Sequence, residues 1–250
     1  MTIYPLQEWG LGDIIFCQAL SGHWIDQGHR VVWGVSPHFV EGLTRAYPEV
    51  TFLDSRLMKL DWNIKDRRPY LDGEIAPIRW ADHILGVPYH HCMRAKYDMY
   101  GLDFNTWRDV KPERHNTPFD NKERLLFSEV SENYQRANKL DDDALAAVFN
   151  NGYNLISPYY GSGSQFKANI APNNGLPNIY MTSIEGYSLF DWSAIIENAT
   201  TIHAVSSSIV YLLELLSLNA TEVHLYGRHH EPKTWYKNIE YILTKKYETH

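Results

Sequence analysis

The chain has 250 residues, 44% of them hydrophobic, and a net charge of −7. That length supports one large core or two small ones, and the acidic balance disfavours a broad, nonspecific grip on nucleic acid, which depends on Lys and Arg neutralising phosphates. The 2 cysteines, Cys17 and Cys92, form no disulfide framework or Cys-rich metal site, which fits a reducing, cytoplasmic compartment. Met1 to Trp9 lacks the basic and apolar regions of a signal peptide. The most apolar stretch, Ile209 to Leu218, is too short to cross a bilayer and is interrupted by Glu214, so no integral membrane segment is expected. The 8 Trp and 17 Tyr residues fill the core or line sites for ring-shaped ligands, the core being the expected place for any single ring.

In chain order, the first third alternates strand and helix. Thr2 to Leu6 reads as an extended run. Asp13 to Gln27 has helical spacing through Ile14, Cys17, Leu20, Trp24 and Ile25, and Gly28 ends it. Arg30 to Val35 is a buried strand. A helix opens at Ser36 and Pro37, with Ser as cap and Pro at the first helical position. Thr51 to Leu53 is a third strand, so this region predicts a parallel sheet with right-handed crossovers. Asp54 to Pro118 is less regular, with an extended segment at Gly73 to Ile78 and helices near Trp80 to Leu85 and Arg94 to Tyr100. Asn121 to Phe149 is charged and helix-prone and reads as a connection. Alternation then resumes. Strands are expected at Tyr153 to Ser157, Ile179 to Met181, Thr201 to Val205 and Glu222 to Tyr226. Helices are expected at Leu189 to Asn198 (capped by Ser188), Ile209 to Leu216 and Trp235 to Lys246.

Four loops at strand ends offer chemistry. Gly10-Leu11-Gly12-Asp13 follows the first strand and opens the first helix. Glycines there allow a sharp turn and close ligand approach, and the helix N-terminus offers free N–H groups. The third glycine of a dinucleotide fingerprint is missing, because Ile15 holds its place, and no Gly-Lys phosphate loop exists. Asp13 is a carboxylate at the ligand edge of a parallel sheet, either a functional group or a residue that steadies the helix start. Ser206, Ser207 and Ser208 lie between a strand and a helix, where they form a phosphate cradle or merely cap the helix. Gly161, Ser162, Gly163 and Ser164, with Lys167 close behind, suit phosphate or a flexible linker equally. Glu185 follows another strand, positioned for ribose hydroxyls or as a loop charge. The 12 histidines include the adjacent pairs His90-His91 and His229-His230, but no helical zinc motif accompanies them, so no metal is expected.

Taken together, these residues resemble the GT-B glycosyltransferases, and most nearly the heptosyltransferase-like family. The match rests on Gly10-Leu11-Gly12-Asp13 with the strand at Val31 to Val35. It continues with Glu185-Gly186-Tyr187-Ser188-Leu189-Phe190-Asp191-Trp192 ahead of Ile195 to Ala199, and with the strand, serine loop and helix from Ile202 to Leu213. Asp54 to Asn150 lies outside it. The resemblance implies an α/β fold of two Rossmann-like, doubly wound domains facing a cleft. An acceptor-side domain would span 1–120, a helical linker 121–150 and a nucleotide-sugar-binding domain 151–250. It implies Asp13 as general base, with Gly10 and Gly12 in the acceptor-side loop. Gly161, Ser162, Ser164, Lys167, Glu185, Ser206, Ser207 and Ser208 would bind the donor. The donor is then a nucleoside-diphosphate sugar, with no resident cofactor, and the acceptor a glycan, a metabolite, a lipid-linked intermediate or a modified nucleobase. The family often carries an acidic residue where this chain has Ser206. Two alternatives stand beside this: a non-catalytic nucleotide-sugar-binding protein, and a nucleotide-dependent enzyme such as a sugar epimerase, against which the weak glycine pattern counts.

Overall fold

A computed structural model describes residues 1–7, 10–58, 73–113, 147, 150–157, 170–181, 188–227, 243–245 and 247–249. The chain divides into two compact units, Met1–Glu113 and Arg114–His250.

Among the described residues the first unit carries four strands, β1 (Thr2–Pro5), β2 (Arg30–Val35), β3 (Thr51–Asp54) and β4 (Glu74–Ala76). They pair in the order β3-β2-β1-β4, all parallel. Parallel strands are covered on both faces and read as continuous apolar runs; β2 obeys this, with Val31, Val32, Trp33 and Val35 all buried. The helices are α1 (Leu11–Phe16), α2 (Gln18–Asp26), α3 (Pro37–Ala46), α4 (Ala81–Leu85) and α5 (Cys92–Asp98).

Two local expectations are corrected here. The helix predicted over Asp13 to Gln27 is two helices broken at Cys17. The Cys17 N–H is shared between the carbonyls of Asp13 (3.0 Å) and Ile14 (3.2 Å), which tightens the last turn of α1 and lets α2 start afresh. Ser36 does precede Pro37, but its hydroxyl pairs with His38 Nδ1 at 3.1 Å instead of capping α3. The Gly28 stop holds: at φ 81° it takes the left-handed turn, and the His29 N–H reaches back to the Trp24 carbonyl at 3.0 Å, closing a Schellman-type end.

In the second unit β5 (Asn154–Ser157), β6 (Asn178–Tyr180), β7 (Thr201–Val205), β8 (Glu222–Tyr226) and β9 (Glu248–Thr249) pair in the order β6-β5-β7-β8-β9, again all parallel. The helices α6 (Ser193–Asn198) and α7 (Ser208–Leu215) pack Ile195, Ile196, Ile209, Leu212 and Leu213 against Leu155, Ile202 and Ala204 of the sheet. Leu189–Trp192, predicted as the start of one helix, is a 3-10 turn ahead of α6. The Asp191 carboxylate accepts from the Ser188 N–H at 2.6 Å and its hydroxyl at 2.8 Å, which tightens the entry.

The helix predicted over Trp235 to Lys246 falls largely outside the described residues. Residues 243–245 are not helical, and Glu248–Thr249 form β9, a strand the sequence did not announce. Glu214 of α7 secures this segment. Its carboxylate accepts from the Thr244 hydroxyl (2.5 Å), the Tyr247 hydroxyl (2.5 Å) and the N–H groups of Thr244 (3.1 Å) and Lys245 (3.3 Å). Lys245 Nζ meanwhile donates to the Leu213 and Leu216 carbonyls at the end of α7, where a cation is favourable. Among the described residues, no helix is long and apolar enough to cross a membrane. The expected connection over 121–150 lies almost wholly outside them.

Candidate functional site

An open parallel sheet offers its ligand crevice where the strand order reverses, beyond the carboxyl ends of the strands. In the first unit the chain steps from β1 to β2 and β3 on one side and then returns to β4 on the other, so the reversal lies between β1 and β4. The Leu6 N–H bonds the Ala76 carbonyl (2.8 Å), and the Arg79 N–H bonds the Leu6 carbonyl (3.0 Å), fixing both strand exits side by side. The loop after β1 leads through Gly10 into α1, which brings Asp13 to this reversal.

Gly10 has two reasons to be glycine. Its φ is 80°, in the left-handed region. A Cβ there would also lie 2.8 Å from Asp13 Oδ2, so the missing side chain makes room for the carboxylate. Gly12 is buried in the first turn of α1. Asp13 itself is 35% exposed, and its Oδ1 accepts from Lys96 Nζ at 2.6 Å. Among the described residues nothing bonds Oδ2.

Lys96 is the functional candidate that sequence reasoning missed. Its side chain is only 4% exposed, a rare state for lysine without a partner. Besides Asp13 it donates to Gln7 Oε1 at 3.0 Å, and the Gln7 carbonyl is held in turn by Trp33 Nε1 at 3.1 Å. Burial works against the ammonium, but the adjacent Asp13 carboxylate outweighs it and holds the Lys96 pKa above the usual lysine range. Lys96 therefore stays charged and cannot serve as a base.

An aromatic core sets the distance between these two residues. Tyr97, next to Lys96 on α5, donates its hydroxyl to the Phe16 carbonyl on α1. The Phe16 ring meets those of Tyr97 (5.1 Å), Trp107 (5.3 Å) and Phe104 (5.8 Å). Cys17 is completely buried, and burial pushes its thiol up to about 12, which removes it as a nucleophile.

In the second unit β5 is followed by β6 on one side and by β7, β8 and β9 on the other, so the order reverses between β5 and β7. Ser206, Ser207 and Ser208 leave β7 at that point. Ser206 continues the strand, its N–H bonding the Tyr226 carbonyl at 2.9 Å. It is fully buried, and its Oγ has no hydrogen-bond partner among the described residues. Ser207 occupies the cap position of α7, yet no side chain caps that helix. The capping explanation for the serines thus fails on geometry. What remains is an uncapped helix start beside an unsatisfied buried hydroxyl, an arrangement suited to anionic oxygens. Gly161, Ser162, Ser164, Lys167 and Glu185 lie outside the described residues, as does the loop after β5. Among the described residues no group of three or more His, Cys, Asp or Glu side chains is arranged to hold a metal ion.

No family model matches the sequence, and no curated protein matches it. Among solved structures, the chain is similar to the bacterial iron-containing dodecameric glycosyltransferase TibC from enterotoxigenic E. coli H10407, with 12% identity, a TM-score of 0.47 and coverage of 90% of this chain and 57% of that one. A structure of TibC, there called a heptosyltransferase, in complex with ADP-D-β-D-heptose is similar at 10% identity and the same TM-score of 0.47, over 90% and 57% of the two chains. A glycosyl transferase of family 9 from Veillonella parvula DSM 2008 shows 8% identity and a TM-score of 0.40, over 92% of this chain and 82% of that one. The chain thus spans 57% of the length of TibC.

Proposed function

We propose that the chain is a glycosyltransferase that moves a sugar from a nucleoside-diphosphate sugar to an acceptor hydroxyl, with inversion and without a metal. The observation that carries this is Asp13: a carboxylate at the strand reversal of the first unit, fixed through one oxygen and, among the described residues, unbonded at the other. In the reaction the acceptor O–H bond breaks and its proton passes to Asp13 Oδ2. The acceptor oxygen bonds the anomeric carbon from the face opposite the diphosphate, and the carbon–phosphate-oxygen bond breaks. Ser206, Ser207, Ser208 and the first N–H groups of α7 stabilise the charge on the departing diphosphate. Gly161, Ser162, Ser164 and Lys167 complete the phosphate loop, and Glu185 holds the ribose.

A non-catalytic nucleotide-sugar-binding protein is the second reading, favoured by the uncharged Ser206 where the resembled family often has an acidic residue. Wild type and Asp13→Asn incubated with UDP-glucose, GDP-mannose, ADP-glucose and ADP-heptose separate the two. With water taking the sugar in place of the acceptor and giving its proton to Asp13, the transferase releases nucleoside diphosphate, and the substitution slows this about a hundredfold or more while the donor still binds. Binding without release, equal in both proteins, supports the second reading. Failure of calorimetry to detect UDP, GDP, ADP or CDP at millimolar concentration refutes both.

A further inference from the structure

We infer that Lys96 is the positioning residue of the Asp13 carboxylate, aimed by Gln7, and that it selects Oδ2 as the atom that takes the acceptor proton. The inference rests on the reading of Asp13 as general base. An ionised carboxylate has two equivalent oxygens and turns easily about its last side-chain bond. Lys96 removes that equivalence, because its Nζ lies 2.6 Å from Oδ1 and is itself held 3.0 Å from Gln7 Oε1. Oδ2 is left above the bare α-carbon of Gly10, where any side chain would collide with it. Three segments meet here: the loop after β1 supplies Gln7, α1 supplies Asp13 and α5 supplies Lys96. The Tyr97 hydroxyl on the Phe16 carbonyl locks α5 to α1 one residue away. A charged lysine at 4% exposure needs its counter-ion, so the two side chains cannot relax independently.

Lys96 touches no reacting atom, so removing it should lower kcat with little change in donor KM. Misplacement of a reacting group by about 1 Å costs on the order of a hundredfold, and Lys96→Ala is expected to lose tenfold to a hundredfold in kcat. The assay is nucleoside-diphosphate release from whichever of UDP-glucose, GDP-mannose, ADP-glucose and ADP-heptose the wild type turns over fastest. Propylammonium matches the atoms deleted in Lys96→Ala and should restore part of the lost kcat saturably, whereas in Lys96→Met, which keeps the bulk but not the charge, it should not. A merely structural lysine would show no such rescue. Unchanged kcat in folded Lys96→Ala, or a loss that propylammonium leaves untouched, overturns the inference. A second readout needs no turnover: the 15N resonance of the Lys96 ammonium should move in both Asp13→Asn and Gln7→Ala. If it moves in neither, the positioning role falls and the transferase reading stands. If it moves but the wild type releases no diphosphate from any donor, the transferase reading falls and takes the positioning role with it.

Discussion

Asp13→Asn is the substitution that a general-base assignment invites, and the structure predicts that it damages the fold as well as the chemistry. The change keeps an oxygen able to accept from Lys96 but removes the charge that makes the buried ammonium tolerable. Breaking a fully buried ion pair costs about 3–5 kcal/mol. Asp13 is 35% exposed, so solvent screens part of the pair, and about 2 kcal/mol is the reasonable magnitude. At roughly 4 °C per kcal/mol for a unit of about a hundred residues, the transition of the first unit should fall by about 8 °C. Lys96→Met leaves a carboxylate that water still reaches and should cost about 1 kcal/mol or less. The double variant should resemble Lys96→Met alone, giving a coupling energy of about 1.5–2 kcal/mol of the kind seen between touching residues. Urea denaturation of the wild type, both single variants and the double variant, followed by tryptophan fluorescence, measures all four corners. Additive single effects, or an Asp13→Asn protein as stable as wild type within about 0.5 kcal/mol, would refute the pairing. The practical consequence is that loss of activity in Asp13→Asn counts as loss of a base only where the protein is shown to be folded at the assay temperature.

Replacing Ser206, Ser207 and Ser208 together by Ala should abolish the thermal shift produced by a nucleoside diphosphate, which at a hundred times its dissociation constant is worth about 2.7 kcal/mol. The unliganded melting temperature should barely change, since none of the three hydroxyls caps α7; a large drop without ligand would show a structural role instead. Gly10→Ala should cost at least about 1 kcal/mol through its positive φ alone and should also displace the Asp13 carboxylate, so that activity falls further than stability explains. Glu214 gives a pH test. Burial opposes its charge, but the hydroxyls of Thr244 and Tyr247 and two backbone N–H groups outweigh this and hold its pKa below the usual value. A group whose folded pKa is depressed stabilises above its unfolded pKa and loses that stabilisation as pH falls through the folded one. The stability gap between wild type and Glu214→Gln should therefore be open at pH 7 and close in acid below about pH 4; a gap constant with pH would contradict this. A chelator should leave diphosphate release unchanged, and inhibition reversed by added magnesium, manganese or iron would show that the proposed metal-free mechanism is wrong.

The parallel sheets were legible because Val31 to Val35 is an unbroken apolar run and strand-like and helix-like segments alternate around it, and Asp13 was legible because glycines announce the turn before it. Ser206 to Ser208 were visible as a cluster, yet only the structure separates ligand cradle from cap, through a buried Oγ with no partner. Lys96 was hidden for a different reason: its partner lies 83 residues away, and no local spacing encodes that. A trace was nonetheless present. Met93, Lys96, Tyr97 and Tyr100 recur at helical spacing, which sets a lysine into an apolar stripe, and a charge in such a stripe calls for a buried partner. β9 left less of a trace, since its 2 residues are too few for alternation to show.

The two candidate sites follow from one topological fact. In each sheet the chain runs outward from β1 or β5 and later returns to the other side of that strand, so the strand order reverses between β1 and β4 and between β5 and β7. A reversal of this kind is where an open parallel sheet takes its ligand, and what the local sequence puts there decides its chemistry. In the first unit it puts a glycine without room for a side chain and a carboxylate held by a buried ammonium. In the second it puts a serine strand-end and a helix start without a cap. Under the proposed reaction a base needs a fixed, negatively charged oxygen and a leaving diphosphate needs unsatisfied donors; among the described residues the first reversal holds the former and the second the latter. Exchanging the charge character of a single crevice tests this division of labour. Ser207→Asp would cap α7 with a carboxylate and should stabilise the fold by about 0.5–1 kcal/mol while abolishing nucleoside-diphosphate binding. A Ser207→Asp protein that binds as well as wild type would show that the anion sits elsewhere.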